Sequence, residues 1–117
     1  MKKVEGLHIL GTLTLEVDYV HRDLDFYRKE ISRIIAGAGL TEVGNYYYPF
    51  DGGGFTGVVA LCESHVSIHT WPEEHFVTLD VFTCNYSRDN KPATHTVFDQ
   101  ISALFNPIAI DKKEIDR

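Results

Sequence analysis

Polar and apolar residues alternate cleanly over residues 7–18. Leu7, Ile9, Gly11, Leu13, Leu15 and Val17 share one side, and His8, Leu10, Thr12, Thr14, Glu16 and Asp18 take the other. That two-residue period predicts a half-buried strand. From Asp23 the period lengthens. Leu24, Tyr27, Ile31, Ile34, Ile35 and Ala38 fall at helical spacing, with Arg22, Asp25, Lys29 and Arg33 mostly opposite them. This is an amphipathic helix, closed by Gly37 or Gly39. Val43 to Phe50 reads as a tyrosine-rich strand, followed by a turn or flexible loop at Asp51-Gly52-Gly53-Gly54. Phe55 to Cys62, Val66 to Trp71 and Phe76 to Cys84 are rich in β-forming residues, and Pro72-Glu73-Glu74 separates the last two. Pro92 opens a second helix with Val97, Phe98, Ile101, Leu104 and Phe105 on its apolar side. Pro107 to Ile110 reads as a short edge strand, and Asp111 to Arg117 as a charged tail.

Strand, helix, several strands, helix is the order of an α+β domain. The pattern predicts a two-layer sandwich, a mostly antiparallel sheet with both helices on one face. The opposite face would carry Tyr46, Tyr48, His65, His69, Trp71, Phe76 and Phe82, which is rather aromatic for open water. Large exposed aromatic faces mark interaction surfaces, so a homodimer is expected.

The 117 residues suit a single domain spanning residues 1–117. With 44% hydrophobic and 24% charged residues the chain is of ordinary globular composition, which excludes disorder and collagen-like repeats. A net charge of −6 argues against a nucleic-acid partner, which calls for a basic footprint. No apolar run has the length of a membrane span. The two lysines near Met1 are soon followed by Glu5 and His8, which breaks any signal-peptide core. Cys62 and Cys84 are too few for a disulfide scaffold, so the expectation is a cytoplasmic protein with free thiols.

Most single residues have plain readings: His21, His75 and His95 as solvated histidines, and Cys62 as a small core residue. The dense stretch is Glu63-Ser64-His65-Val66-Ser67-Ile68-His69-Thr70-Trp71-Pro72-Glu73, followed by Asp80-Val81-Phe82-Thr83-Cys84. A serine hydrolase would need Ser64 in a Gly-x-Ser-x-Gly elbow, which is absent. A metal site built from His65, His69, His75 and Cys84 meets a length problem. His65 and His69 lie four apart on one strand, about 13 Å, too far for one ion unless the strand bends. A third reading needs no chemistry: Ser64 begins a turn, and His69 and Trp71 are packed aromatics. Composition alone does not separate these.

The same stretch resembles a specific signature. Glu63-Ser64-His65-x-Ser67-Ile68-His69-Thr70-Trp71-Pro72-Glu73 with Asp80-x-Phe82-Thr83-Cys84 is similar to the prokaryotic-type S-adenosylmethionine decarboxylase proenzymes. Gly6-x-His8 and Gly57-Val58-Val59 resemble that family too, and the likeness runs from about Gly6 to Cys84 and weakens after it. A near-match of this length with a second motif is far more specific than a lone short pattern.

The resemblance implies that the chain cuts itself between Glu63 and Ser64 into residues 1–63 and 64–117. The Ser64 hydroxyl would attack the Glu63 carbonyl, and elimination would leave a pyruvoyl group at position 64. That carbonyl, as the cofactor, would form a Schiff base with the amine of S-adenosylmethionine and act as electron sink while CO₂ leaves. His69 would assist processing by proton transfer, and Cys84 would protonate the carbanion. Phe50 and Trp71 would line the substrate pocket, where ring faces suit a sulfonium cation and adenine. Glu73 would hold the ribose hydroxyls. The product would feed spermidine and other polyamine synthesis, and no metal is implied.

Three departures stand out. Thr56 occupies a position where the family commonly has a serine that assists processing, and threonine keeps the hydroxyl on a stiffer side chain. Asn85 replaces a glycine, and Gly52-Gly53-Gly54 is looser than the family pattern. A pyruvoyl-dependent decarboxylase of arginine or ornithine, or a ligand-binding relative that does not process, are the alternative readings.

Overall fold

The computed structural model describes residues 5–85 and 88–117; Met1–Val4, which include the amino-terminal lysines, lie outside them. In chain order the elements are β1 (Gly6–Thr14), α1 (Leu24–Gly37), β2 (Glu42–Pro49), β3 (Phe55–Leu61), β4 (His65–Trp71), β5 (Phe76–Cys84), α2 (Lys91–Ala103) and β6 (Ala109–Asp116), with a 3-10 turn at Pro72–Glu74. The strands form one six-stranded sheet in the order β2-β3-β4-β5-β1-β6, and every neighbouring pair is antiparallel.

Alternation decides what each face carries. On β4 and β5 every second residue is buried: Val66, Ile68 and Thr70, then Val77, Leu79, Val81 and Thr83. The apolar ones pack with Tyr27, Ile31, Ile34 and Ile35 of α1 and with Val97, Phe98 and Ile101 of α2 in one cluster of buried residues. Asp23 opens α1, its carboxylate accepting the Phe26 N–H at 2.9 Å. Helix α2 lies so close to β1 that a Cβ on Gly11 would stand 2.4 Å from the Phe98 ring. Both helices therefore cover the same face, as the α+β pattern predicts, and the other face is left without a covering layer among the described residues.

Two expectations are corrected. The first strand ends at Thr14 rather than running to Asp18, and Val17 is 77% exposed. Thr14 pairs with Phe76 on one side and Ala109 on the other, and both partner strands begin there, so no ladder remains for residues 15–18. The charged tail is also a strand. β6 pairs with β1 from Leu7↔Asp116 to Thr14↔Ala109. All eight of its residues are exposed, so no apolar alternation marks it, and its charges suit an edge that must not recruit another strand.

Candidate active site

Strands β3 and β4 form a tight hairpin with Ala60 opposite His65, and the Leu61 N–H donates to the Ser64 carbonyl at 2.9 Å. The Glu63–Ser64 peptide bond thus sits at the hairpin tip, next to the end of β5. Cys84, the last residue of β5, grips both sides of that bond. Its backbone N–H donates to Ser64 Oγ at 3.1 Å, and its thiol donates to the Glu63 carbonyl oxygen at 3.2 Å. A pocket of about 510 Å³ opens here, lined by Cys62, Glu63, Ser64, Cys84, Arg88 and Asn90 among others. Cys62 is exposed on this rim. It lies just past the end of β3, so the core position expected for it does not exist.

The remaining expected site residues gather at the other end of the sheet's open face. Thr56 and His69 are register partners on β3 and β4, and the Thr56 hydroxyl and His69 Nδ1 share a hydrogen bond of 2.9 Å. Trp71 follows two residues on, its ring 5.8 Å from His69 and stacked on Phe76 at 4.6 Å with 14° between planes. Phe50 meets Tyr48 edge-on at 5.6 Å, and its ring pairs with that tyrosine rather than with Trp71. Glu73 is exposed in the 3-10 turn. Gly54 brings the glycine loop against this turn, for a Cβ there would lie 2.8 Å from Pro72 Cδ.

Two groups result, not one. Glu63, Ser64 and Cys84 come together at one end, and Thr56, His69 and Trp71 at the other. His69 lies five residues along the chain from Ser64, and the stretch His65–His69 alone is extended strand of about 13 Å. Within this chain His69 does not reach Ser64.

Beside Ser64 and Cys84 the open face carries a ring cluster that the sequence left unassigned. His8 lies 6.0 Å from His65 and 5.6 Å from Phe82, and the Arg117 guanidinium sits 4.7 Å above Phe82. Burial holds His8 below its ordinary value; Asp80 opposes this, and Arg117 and His65 add to it. His8 Nε2 is buried without a hydrogen-bond partner among the described residues. His21 is held low by burial as well, against the edge of Tyr19, and His75 adopts a left-handed conformation while its carbonyl accepts the Leu15 N–H. No cluster of three or more His, Cys, Asp or Glu side chains fit to hold a metal ion occurs among the described residues.

Sequence reasoning also missed Asn90, whose side-chain amide donates to the Cys84 carbonyl oxygen at 2.8 Å. The available signal was an asparagine directly ahead of Lys91-Pro92, which marks a helix start and nothing about Cys84.

A family model described as S-adenosylmethionine decarboxylase matches residues 8–117. The S-adenosylmethionine decarboxylase proenzyme of Aquifex aeolicus is 40% identical over 118 residues, covering 100% of this chain and 84% of that protein. The proenzyme of the same description from a Hydrogenobaculum species is 37% identical with the same coverage. The crystal structure of the adenosylmethionine decarboxylase from Aquifex aeolicus superposes with a TM-score of 0.84 at 37% identity, over 99% of this chain and 92% of that one. No helix among the described residues is long and apolar enough to cross a membrane.

Proposed function

The chain belongs to the S-adenosylmethionine decarboxylase family, and from that premise we propose that it matures by cutting itself between Glu63 and Ser64 and then works as a pyruvoyl-dependent carboxy-lyase. Its activity is the family's: CO₂ is removed from S-adenosylmethionine, and the product serves the synthesis of spermidine and other polyamines.

The observation that carries the self-processing reading is the grip of Cys84 on the Glu63–Ser64 bond. A peptide bond is stable unless its carbonyl is polarised and a nucleophile is held against it. The Cys84 thiol donates to the oxygen that turns anionic on attack, which is the service of an oxyanion hole. The Cys84 N–H fixes the attacking hydroxyl. Ser64 Oγ then bonds to the Glu63 carbon, the C–N bond breaks, and the hydroxyl proton passes to the freed amine, leaving an ester. Loss of the Ser64 α-proton expels the Glu63 carboxylate and leaves a dehydroalanine; this takes a proton on its methylene carbon to become an imine, which water hydrolyses, releasing ammonia and leaving a pyruvoyl group. His69 is the base assigned to the α-proton, and the Thr56 hydroxyl on Nδ1 orients it, so threonine meets this need as serine would.

The pocket beside Ser64 has room for such a group and a ligand. There the pyruvoyl carbonyl supplies an electron sink for the pair left behind when CO₂ departs. Cys84 returns a proton to that carbon. Trp71 and Phe50 offer ring faces to the adenine and sulfonium, and exposed Glu73 offers acceptors to the ribose hydroxyls.

The separation of His69 from Ser64 supports a homodimer in which the His69 end of one copy meets the Ser64 end of the other across the aromatic open face. The two free cysteines fit a cytoplasmic home. An intact mass spectrum of the denatured protein tests the central claim. Fragments 1–63 and 64–117, the second blocked by a pyruvoyl group, are expected. A full-length chain that persists on long incubation refutes self-processing.

A further inference from the structure

Asn90 occupies the N-cap position of α2, where an asparagine side chain ordinarily accepts a backbone N–H of the first helical turn. It makes no such bond. Its side-chain amide turns the other way and donates to the Cys84 carbonyl oxygen at 2.8 Å, while the Arg88 Nε–H donates to its Oδ1 at 2.9 Å. Its own N–H donates to Asn85 Oδ1 at 2.8 Å, and its carbonyl accepts both the N–H and the hydroxyl of Thr94. That same Thr94 hydroxyl is bonded to the hydroxyl of Thr83, both buried, one residue before Cys84. The start of α2 is thus tied to the end of β5 on both sides of the Thr83–Cys84 peptide.

An N-cap that forgoes its capping bond gives up helix stability, and the bond it makes instead points at one residue. The Cys84 carbonyl is fixed by Asn90, its N–H is fixed on Ser64 Oγ, and its thiol meets the Glu63 oxygen. β5 ends here, and that peptide plane is held from two sides: the Asn85 N–H donates to the Glu5 carbonyl oxygen at 2.6 Å, and the Asn90 amide takes the carbonyl end. We propose that Asn90 is a positioning residue: by clamping the Cys84 carbonyl it aims the Cys84 N–H and thiol at the Glu63–Ser64 bond and, after processing, at the reacting carbon. It bonds to no atom of the scissile peptide and acts through Cys84, and the inference rests on the roles given above to Ser64 and Cys84.

Two substitutions separate this role from a structural one. In Asn90→Asp the side chain keeps a good cap acceptor and loses the donor to Cys84. In Asn90→Ser the side chain caps and is too short to reach. In both, the melting midpoint is expected to hold or rise, while self-cleavage and kcat for S-adenosylmethionine fall about tenfold with KM unchanged, the size of one lost positioning hydrogen bond. Activity and stability then move in opposite directions. Cleavage and kcat equal to the parent's in Asn90→Ser overturn the proposal, as does a loss of kcat that only follows a loss of melting midpoint. Should Asn90→Asp fail to fold, Asn90→Ser decides alone. The parent protein, assayed alongside, keeps the two questions apart: absence of cleavage in the parent refutes the self-processing reading, whereas a cleaving parent with unchanged variants refutes only the role of Asn90.

Discussion

Cys84 meets the Glu63–Ser64 bond through two different groups, and substitution can separate them. The N–H on Ser64 Oγ belongs to the backbone and survives any side-chain change, whereas the thiol on the Glu63 oxygen does not. In Cys84→Ala the nucleophile therefore stays aimed. Cleavage is expected to continue about tenfold more slowly, since one hydrogen bond contributes on the order of 1 kcal/mol. Decarboxylation is expected to fall by about 100-fold or more, the usual worth of a general acid. A time course of fragment masses, followed by CO₂ release from the fully cleaved variant, measures the two separately. His8 gives a pH signature. Its folded-state value lies below the ordinary 6.5 because burial penalises the charged ring. The unfolded chain accepts a proton first, so the His8 contribution is complete above the ordinary value and is lost as pH falls through the folded one. His21 shifts in the same direction. The melting midpoint should therefore drop on acidification below about pH 6.5, and His8→Gln should flatten that drop with little change at mildly alkaline pH.

At the level of elements, the glycine loop after β2 and the turn after β4 form one joint. Gly54 has φ of +86°, and a Cβ there would approach Pro72 Cδ at 2.8 Å and the Thr70 carbonyl oxygen at 2.9 Å. Gly54→Ala meets both a backbone penalty and a clash with main chain, so a loss of about 1–3 kcal/mol is expected in denaturant unfolding. Pro72 follows Trp71, the single tryptophan of the chain, so the native emission maximum should shift with it. An unchanged midpoint and spectrum would show that loop and turn are not coupled. This joint also shows what kind of information sequence carries. Strands β3, β4 and β5 were legible because each buries one face, and burial writes a period of two. β6 was legible only at its start, where Ala109 and Ile110 fall in the expected edge strand; beyond them its backbone pairs while its side chains stay in water. The end of β1 was misread for a related reason: alternation continues through Val17, but the partner strands do not. The Asn90 clamp on Cys84 left no trace in side-chain periodicity at all.

For the molecule as a whole, the family resemblance pointed to candidate site residues and set Ser64 and His69 close together in sequence, whereas a strand makes them distant. Turn chemistry holds Glu63 and Ser64 at one end of β4, and register with Thr56 holds His69 toward the other. On the roles proposed above, one copy presents a nucleophile without its distant base, and a base without a nucleophile. The open face between them carries Tyr46 and Tyr48, both more than half exposed, with His65, Trp71, Phe76 and Phe82 on alternating positions of β4 and β5. Two copies meeting face to face by a two-fold axis would bring unlike ends together twice, since such an interface repeats every contact. Mixing two inactive precursors tests this directly. Ser64→Ala lacks the nucleophile, and His69→Ala lacks the base, so neither should cleave efficiently alone. In a mixed dimer the serine of the His69→Ala chain would face the histidine of the Ser64→Ala chain. Cleavage is expected only when the two are co-expressed or exchanged, and only in the His69→Ala chain, whose fragments a mass spectrum distinguishes. If mixing restores nothing while size-exclusion and light scattering show mixed dimers, the two ends do not meet across the interface. In that case His69 plays no part at Ser64, and the base must be sought in the His8–His65 cluster beside it.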